Sequence, residues 1–349
     1  MSEINDIRSI GDFSISSFSK YKKTEVSKMF LKSLNDRSEE TACYWSVEMI
    51  CSGMYLELWT IIIKFVAKYI YIGNPQLPKY ISKRIDDFKV IVKTDYDNNE
   101  LLMRNDNKIR KLFAEVVAVV ISSKRKNPIN YVKISDEDFK LHKISAKFLA
   151  TDTSFVKNIY TKNDPRETFM AFNEFAFNIS KKSINTLMAC FWIEWIIEYE
   201  KVCKKNKVKC SGELRSFANV DDKYQTSIVW ILWEIILDES KLRGTYYLSI
   251  NKSLLDIFCM RYSSANNNKF KMLLYYAVYL ICENVDTDVS FINDKNLVNV
   301  LINNIDKFYK QIKTSEESPP VDYLIDGLKN KTNREKSLAK LDILKNLGN

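Results

Sequence analysis

SEETACYWSVEMICSGMYLELWTIIIKFVAKYIYIGNPQLP, residues 38–78, is the stretch that decides the fold of this chain. It contains two of the six tryptophans, two of the seven cysteines and the longest apolar run. Its apolar residues recur at helical spacing on both sides of Ser52-Gly53, and Gly73-Asn74-Pro75 provides a stop. The pattern predicts a hairpin of two helices that turns or kinks at Ser52-Gly53.

The rest of the composition also favours helices. The chain has 349 residues, of which 46% are hydrophobic and 28% are charged, as in a folded protein. Seven glycines and six prolines are few for this length, whereas sheet-rich folds use more glycine in their turns. We therefore expect an all-α protein of about a dozen helices in two packed helical bundles. A duplicated or solenoid-like array is the alternative.

The helical pattern is interrupted near residue 150, where Thr-Asp-Thr-Ser occurs at 151–154. A short strand is predicted within 128–134, with the sequence NYVKI at 130–134, and Asp164 before Pro165 predicts a helix N-cap. The predicted division is a flexible N-terminus at 1–18, an N-terminal helical bundle at 19–150, a C-terminal helical bundle at 151–313, and a linker with short amphipathic tail helices at 314–349.

The chain carries a formal net charge of +9. Lysine far outnumbers arginine, and this bias has two readings: the composition of an AT-rich genome, or an anionic partner. Clusters of cations that converge in the fold would form a phosphate-binding face, whereas separated clusters would be solvated helix ends. The candidate nucleic-acid-binding residues are Lys20, Lys22, Lys23, Lys108, Arg110, Lys111, Lys124, Arg125, Lys126, Lys204, Lys205, Lys207 and Lys209.

Six glutamates lie inside otherwise apolar helical runs, where an ionised carboxylate is costly to bury without a partner. These buried-carboxylate candidates are Glu48, Glu57, Glu115, Glu174, Glu194 and Glu234. They would pair with cations, face solvent, or line a cleft that shifts their pKa values. Carboxylate metal sites in helical bundles usually add a histidine three residues after a glutamate, and His142 is not so placed. We expect no metal and no cofactor.

Catalytic signatures are scarce. His142 is the only histidine, and the glycine loops that bind nucleotide phosphates are missing from the sequence. The seven cysteines show no C-x-x-C spacing and are expected to be buried thiols in a reducing compartment. Met1–Lys20 is polar and does not resemble a signal peptide, and Trp59–Ile72 is too short to span a bilayer. We expect an intracellular, non-secreted protein without a membrane segment.

Two aromatic patterns remain open. Ala42-Cys43-Tyr44-Trp45 is echoed by Ala189-Cys190-Phe191-Trp192, which indicates either an internal duplication or chance. The tryptophan pairs at 192/195 and 230/233 each share one helix face. They belong either to the core or to an anchor for a partner helix.

Four segments carry a resemblance to a known group of proteins: ETACYWSVEMICSG (40–53), GNPQLPKYISKRIDDFK (73–89), NDNKIRKLFAEVV (105–117) and KYQTSIVWILWE (223–234). The chain resembles uncharacterised proteins encoded by large DNA viruses of algae and other protists, over most of residues 19–285. This group has no assigned activity. The resemblance implies a setting in the host cell cytoplasm, a viral factory or a virion.

Three functions follow as hypotheses. The first is a non-enzymatic helical scaffold or accessory interaction subunit of a viral assembly or replication apparatus, with a protein partner. The second is a nucleic-acid-binding accessory factor in replication, transcription or packaging that uses lysine-rich faces. The third is an enzyme with clefted carboxylates, which requires at least two of the six glutamates to share one pocket.

Overall fold

The computed structural model describes residues 3–96, 101–263 and 265–317. Within these ranges the protein has thirteen α-helices and no β-strand, which confirms the all-α prediction. None of these helices is both long and apolar enough to cross a membrane. The α-helices are α1 (Lys23–Asn35), α2 (Glu39–Cys51), α3 (Tyr55–Phe65), α4 (Leu77–Asp95), α5 (Asn107–Ser122), α6 (Leu141–Ser145), α7 (Phe169–Ile179), α8 (Thr186–Lys205), α9 (Val229–Arg243), α10 (Thr245–Cys259), α11 (Asn266–Lys269), α12 (Lys271–Cys282) and α13 (Lys295–Lys313).

Shorter helical turns connect several of these elements. A π-helical turn, Val66–Ile70, extends α3 directly. The 3-10 helices are Ile10–Ser14, Tyr71–Gly73, Leu102–Asn105, Asp136–Phe139, Arg166–Thr168 and Asp222–Tyr224.

The helical hairpin at 38–78 forms as its sequence predicts. At the end of α2 the N–H of Gly53 donates to the Ile50 carbonyl at 3.1 Å, and the N–H of Met54 donates to the Met49 carbonyl at 2.8 Å. These paired bonds are a Schellman motif, which needs the positive φ of 69° found at Gly53. At the far end of the hairpin, a Cβ on Gly73 would collide with the Lys124 carbonyl oxygen.

Two local predictions are wrong. Residues 130–134 form an extended loop instead of a strand, and the Val132 N–H donates to the Tyr275 hydroxyl at 3.1 Å. Asp164 does not cap a helix, because α7 begins only at Phe169. Its two carboxylate oxygens instead accept bonds from the Arg215 guanidinium, both at 2.8 Å. Asp164 therefore binds the guanidinium of Arg215, which is distant in the sequence, and not the backbone N–H groups at the start of a helix.

Helices from both predicted bundles pack together. α13 packs against α5 and α2, α10 packs against α4, and α12 packs against the π-helical turn of the hairpin. One large apolar core contains side chains from both sides of residue 150. The division at residue 150 stays a prediction, and it would run through this continuous core. The predicted tail helices lie outside the described residues.

The segment before α1, which we expected to be loose, contributes to the core. Ile4, Phe13 and Phe18 are buried. The guanidinium carbons of Arg8 and Arg104 lie 4.7 Å and 5.6 Å from the Phe18 ring centroid. Cation–π contacts of this kind stabilise the approach of residues 3–18 to the start of α5.

The two copies of the aromatic echo have different surroundings. Trp45 in α2 is half-buried, and its ring centroid lies 5.3 Å from that of Tyr21. Trp192 in α8 is fully buried against Trp195, with 6.0 Å between ring centroids. Both tryptophan pairs, at 192/195 and 230/233, lie in the core.

Arg110→Ala is expected to weaken the attachment of α13. Arg110 is 3% exposed, pairs with Asp306 at 3.1 Å, and stacks on the Tyr309 ring at 4.0 Å. Its loss leaves the Asp306 carboxylate without a cation, with only the Asn107 amide as donor, and should lower the free energy of unfolding by about 3 kcal/mol, measured by urea denaturation. Lys111→Ala, at the exposed neighbour, is the control and should change it by less than about 0.5 kcal/mol. Equal effects from the two variants would contradict this role of Arg110.

Candidate functional site

A groove with a volume of about 550 Å³ lies between α3, α4 and the end of α10. Side chains three or four positions apart share a helix face, so each helix contributes a short row of residues. The apolar lining residues are Leu56, Trp59, Ile85, Phe88, Val92 and Met260. We call this surface the groove.

Aromatic packing makes the floor of the groove rigid. The ring centroid of Trp59 lies 6.1 Å from that of Phe88 and 4.9 Å from that of Phe113. Phe88 and Phe113 are in turn 5.6 Å apart. At the edge of this buried cluster, Leu56 is 42% exposed. The floor is therefore preorganised, while its edge is open to an apolar group from outside.

The rim of the groove is mainly cationic. Lys89, Lys93 and Arg261 line it, and Asp256 is the carboxylate among the lining residues. Burial and the nearby Asp86 carboxylate raise the pKa of Asp256. Lys89 pairs with Asp86 at 2.9 Å, but both side chains are well exposed and the pair is weak. The rim thus favours an anionic flank on whatever contacts the groove.

One residue in the floor of the groove has a buried hydrogen-bond donor without a partner. Trp59 is 1% exposed, and its indole Nε1–H has no acceptor in the part of the chain that the structure describes. The indole groups of Trp192 and Trp233 share this property, although neither residue lines the groove. A buried N–H without an acceptor costs free energy, which the packing of the Trp59 ring offsets.

Two of the six predicted carboxylates bind backbone groups. Glu48 accepts bonds from the Ser19 N–H and hydroxyl, both at 2.7 Å. Glu174 accepts bonds from the N–H groups of Leu149 and Ala150 at 2.9 Å and 3.0 Å. Charge-assisted bonds of this type satisfy a buried carboxylate and fix a loop at the same time.

The other predicted carboxylates have separate partners. Glu194 is held by Lys271 at 2.6 Å and by the Tyr275 hydroxyl at 2.9 Å. Glu115 accepts from the Tyr80 hydroxyl at 2.9 Å, and Glu234 pairs with Arg215 at 2.8 Å. Glu57 is exposed. Each of the six glutamates therefore sits in its own surroundings, and the geometry brings no two of them into one pocket.

The predicted cation clusters are spread over the molecule. Lys108 and Lys111 lie at the start of α5, whereas Lys124 and Lys126 follow its end, which is about 24 Å away for a helix of 16 residues. Phe18 contacts Arg104, so the cluster at 20–23 lies near the start of α5. The cluster at 204–209 is exposed at the end of α8.

Two arginines in these clusters bind within the protein. Arg110 is buried against Asp306, and Arg125 donates to the carbonyls of Leu34 and Asn35 at the end of α1. Both guanidinium groups complete the packing of helices, and this leaves lysines as the exposed members of the clusters. The four clusters do not form one continuous cationic face.

Thiol and metal chemistry have no assembled centre in the described residues. Burial raises the pKa of Cys43, Cys259 and Cys282 to about 12, so these thiols stay protonated near neutral pH. Groups of three histidine, cysteine, aspartate or glutamate side chains placed to hold a metal ion are not found in the described ranges. His142 is exposed on α6.

Sequence reasoning missed the groove because it joins segments that are far apart in the chain. Leu56 and Val92 look like ordinary helix positions, and Met260-Arg261 only follows a helix end. A weak signal existed in Lys89 and Lys93, which lie beside apolar residues at helical spacing. The spacing alone does not tell which neighbouring element faces this row.

Comparison of the chain with protein-family models, with curated proteins and with solved structures finds no match. The resemblance to proteins of large DNA viruses stays a prediction, since none of these comparisons bears on it.

Glu194→Ala tests whether the buried carboxylates stabilise the fold. The change leaves the ammonium of Lys271, which is 16% exposed, without its partner. We expect the free energy of unfolding to fall by about 3 kcal/mol in urea denaturation, because a broken buried pair strands the remaining charge. Glu57→Ala, at the exposed position, should change it by less than about 0.5 kcal/mol. A harmless Glu194→Ala would contradict a structural role.

Proposed function

We propose that this protein is a non-enzymatic helical scaffold or accessory interaction subunit, and that its groove binds an amphipathic helix with acidic flanks from a partner protein. The observation that carries the proposal is the groove itself, with its open apolar edge at Leu56, its aromatic floor and its cationic rim. Helix-in-groove recognition uses apolar anchors at i, i+3, i+4 and i+7 of the bound helix.

The charge of the rim favours an acidic partner. Lys93 and Arg261 are exposed beside the apolar lining, and Asp256 carries the opposing charge. Glutamates that flank the leucines of a bound helix would be attracted to this rim, while lysines would be repelled. Complementary charge selects the partner and sets its orientation, and the apolar contacts supply most of the affinity.

A non-enzymatic role is supported by the way that reactive groups are used. The six glutamates have separate partners or face solvent, and the most buried cysteines have raised pKa values. The resemblance to viral proteins suggests the setting: a viral assembly or replication apparatus in the host cell cytoplasm, a viral factory or a virion. Binding of nucleic acid by the four lysine clusters is less favoured, since the two clusters on α5 lie at opposite ends of that helix.

A pair of synthetic peptides tests the proposal. The first has about 16 residues, with leucines at helical spacing and glutamates between them, and the second replaces the glutamates with lysines. Fluorescence anisotropy with the full chain should show micromolar binding of the glutamate peptide and binding weaker by about tenfold or more for the lysine peptide. Equal affinities for the two peptides, or no binding of either, would refute it.

Two substitutions on α4 locate the binding. Val92 lines the groove, whereas Val90 is 63% exposed and lies outside its lining. Val92→Arg should weaken the binding of the glutamate peptide by about tenfold, and Val90→Arg should leave its affinity unchanged. Equal effects would place the peptide elsewhere. Sedimentation of the full chain adds a further check: a dimer that Val92→Arg dissociates would show that a second copy occupies the groove, against the proposal.

A further inference from the structure

A second cavity, of about 520 Å³, lies between the last turns of α8, the loop 208–212 and residues 222–227. Ile197, Glu200, Lys201 and Lys204 line it, and their spacing puts them on one face of α8. The opposite wall is held in place because the Gly212 N–H donates to the Thr226 carbonyl at 2.8 Å. We call this cavity the Glu200 cleft.

The floor of the Glu200 cleft is a hydrogen-bonded carboxylate. Ser227 Oγ donates to Glu200 Oε1, and Asn267 Nδ2 donates to Oε2, each at 2.7 Å. Asn267 is 3% exposed and its own Oδ1 accepts from the Tyr262 hydroxyl at 2.5 Å. A carboxylate has about four acceptor positions. Ser227, Asn267 and the backbone N–H of Ile228 occupy three of them, so the carboxylate retains capacity to accept one further bond from a ligand.

Burial changes the pKa of this carboxylate. It raises the pKa of Glu200, and the bonds from Ser227, Asn267 and the Ile228 N–H oppose that rise. A group held in this way gains from any ligand that donates further hydrogen bonds, because such bonds replace the lost contacts with water.

The mouth of the Glu200 cleft is cationic. Lys201, Lys204 and Lys223 all line it, and they come from two separate segments of the chain. Lys201 pairs with Glu198 at 2.5 Å and Lys223 with Asp221 at 3.6 Å. Both pairs are exposed to solvent, so they are weak and leave the ammonium groups available to an anion.

We propose that the Glu200 cleft binds a phosphorylated small molecule whose organic part donates hydrogen bonds. The phosphate would lie among Lys201, Lys204 and Lys223, and the donors would reach Glu200 on the floor. Tyr224, which also lines the cleft and is partly exposed, offers its ring to a planar group. A nucleoside monophosphate has all three parts, and guanosine monophosphate presents two N–H donors on one edge of its base.

Isothermal titration of the full chain with four probes tests this inference. Guanosine monophosphate should bind more tightly than guanosine or inorganic phosphate by about tenfold or more, because both ends of the cleft contribute. Inorganic phosphate that binds as well as the nucleotide would overturn the inference. The fourth probe is a short single-stranded oligonucleotide. If it binds and the mononucleotide does not, the lysines bind the backbone of a nucleic-acid strand, and the inference is equally overturned.

Neighbouring lysines on α8 provide a matched control. Lys204→Ala should weaken the binding of guanosine monophosphate by about tenfold. Lys205→Ala, at the next residue and outside the lining, should not change this affinity. Equal weakening would mean that these lysines act only as diffuse charge at the C-terminus of α8.

Glu200→Gln tests the floor of the cleft separately. The neutral amide should remove the preference for guanosine monophosphate over inorganic phosphate while binding of phosphate itself is retained. An unchanged preference would exclude Glu200 from recognition and overturn the inference.

Thermal unfolding of each variant, followed by circular dichroism, shows whether a loss of binding reflects a loss of fold. For a variant that unfolds, Ser227→Ala removes one donor to Glu200 and should also reduce the preference.

Discussion

The hairpin of α2 and α3 is apolar on so many sides that one neighbouring helix cannot cover it, and the chain covers it from both directions. α1 packs against α2 and α3, while α5 and α13 also pack against α2. Because α13 is the last described helix, burial of the hairpin requires the far end of the chain to return to its beginning. Arg110, Asp306 and Tyr309 fasten this return, and residues 3–18 pack at the same end.

The groove lies where neighbouring helices no longer cover the α2–α3 hairpin. Trp59 and Leu56 lie on α3 at the side that α4 and the end of α10 border without closing. The aromatic rings below are fully packed, so the floor cannot collapse to fill the space. A partner helix in the groove would complete the covering of the hairpin, in the way that α13 completes it on the other side. The proposed function and the fold thus depend on the same apolar surface.

Local features of the fold were predictable from the sequence, and contacts between distant segments were not. The turn at Gly53, the stop at Gly73 and the all-helical class follow from spacing and from residue types that act within a few positions. Asp164 shows the limit: its sequence context is that of an N-cap, but Arg215 binds it from 51 residues away. The groove, the return of α13 and the Glu200 cleft likewise join segments whose pairing no periodicity encodes.

For the buried charges, too, the sequence indicates local features but not the contacts between distant segments. The sequence indicated which glutamates need partners, since a carboxylate inside an apolar helical run is costly. It did not indicate that Glu48 and Glu174 would bind loop backbone while Glu194 binds Lys271. It also missed Glu200, which lies in a charged helix end where a buried carboxylate is not expected. The partners of a buried charge are decided by tertiary packing, so only the structure identifies them.

The indole resonance of Trp59 is the most direct test of the groove. In a ¹⁵N–¹H spectrum of the full chain, with this resonance assigned through Trp59→Phe, addition of the glutamate peptide should shift the Trp59 signal. The signals of Trp195 and Trp230, whose indole N–H groups donate to the carbonyls of Asp138 and Tyr224, should stay in place. A Trp59 signal that does not move, or an equal shift of all three, would contradict the account.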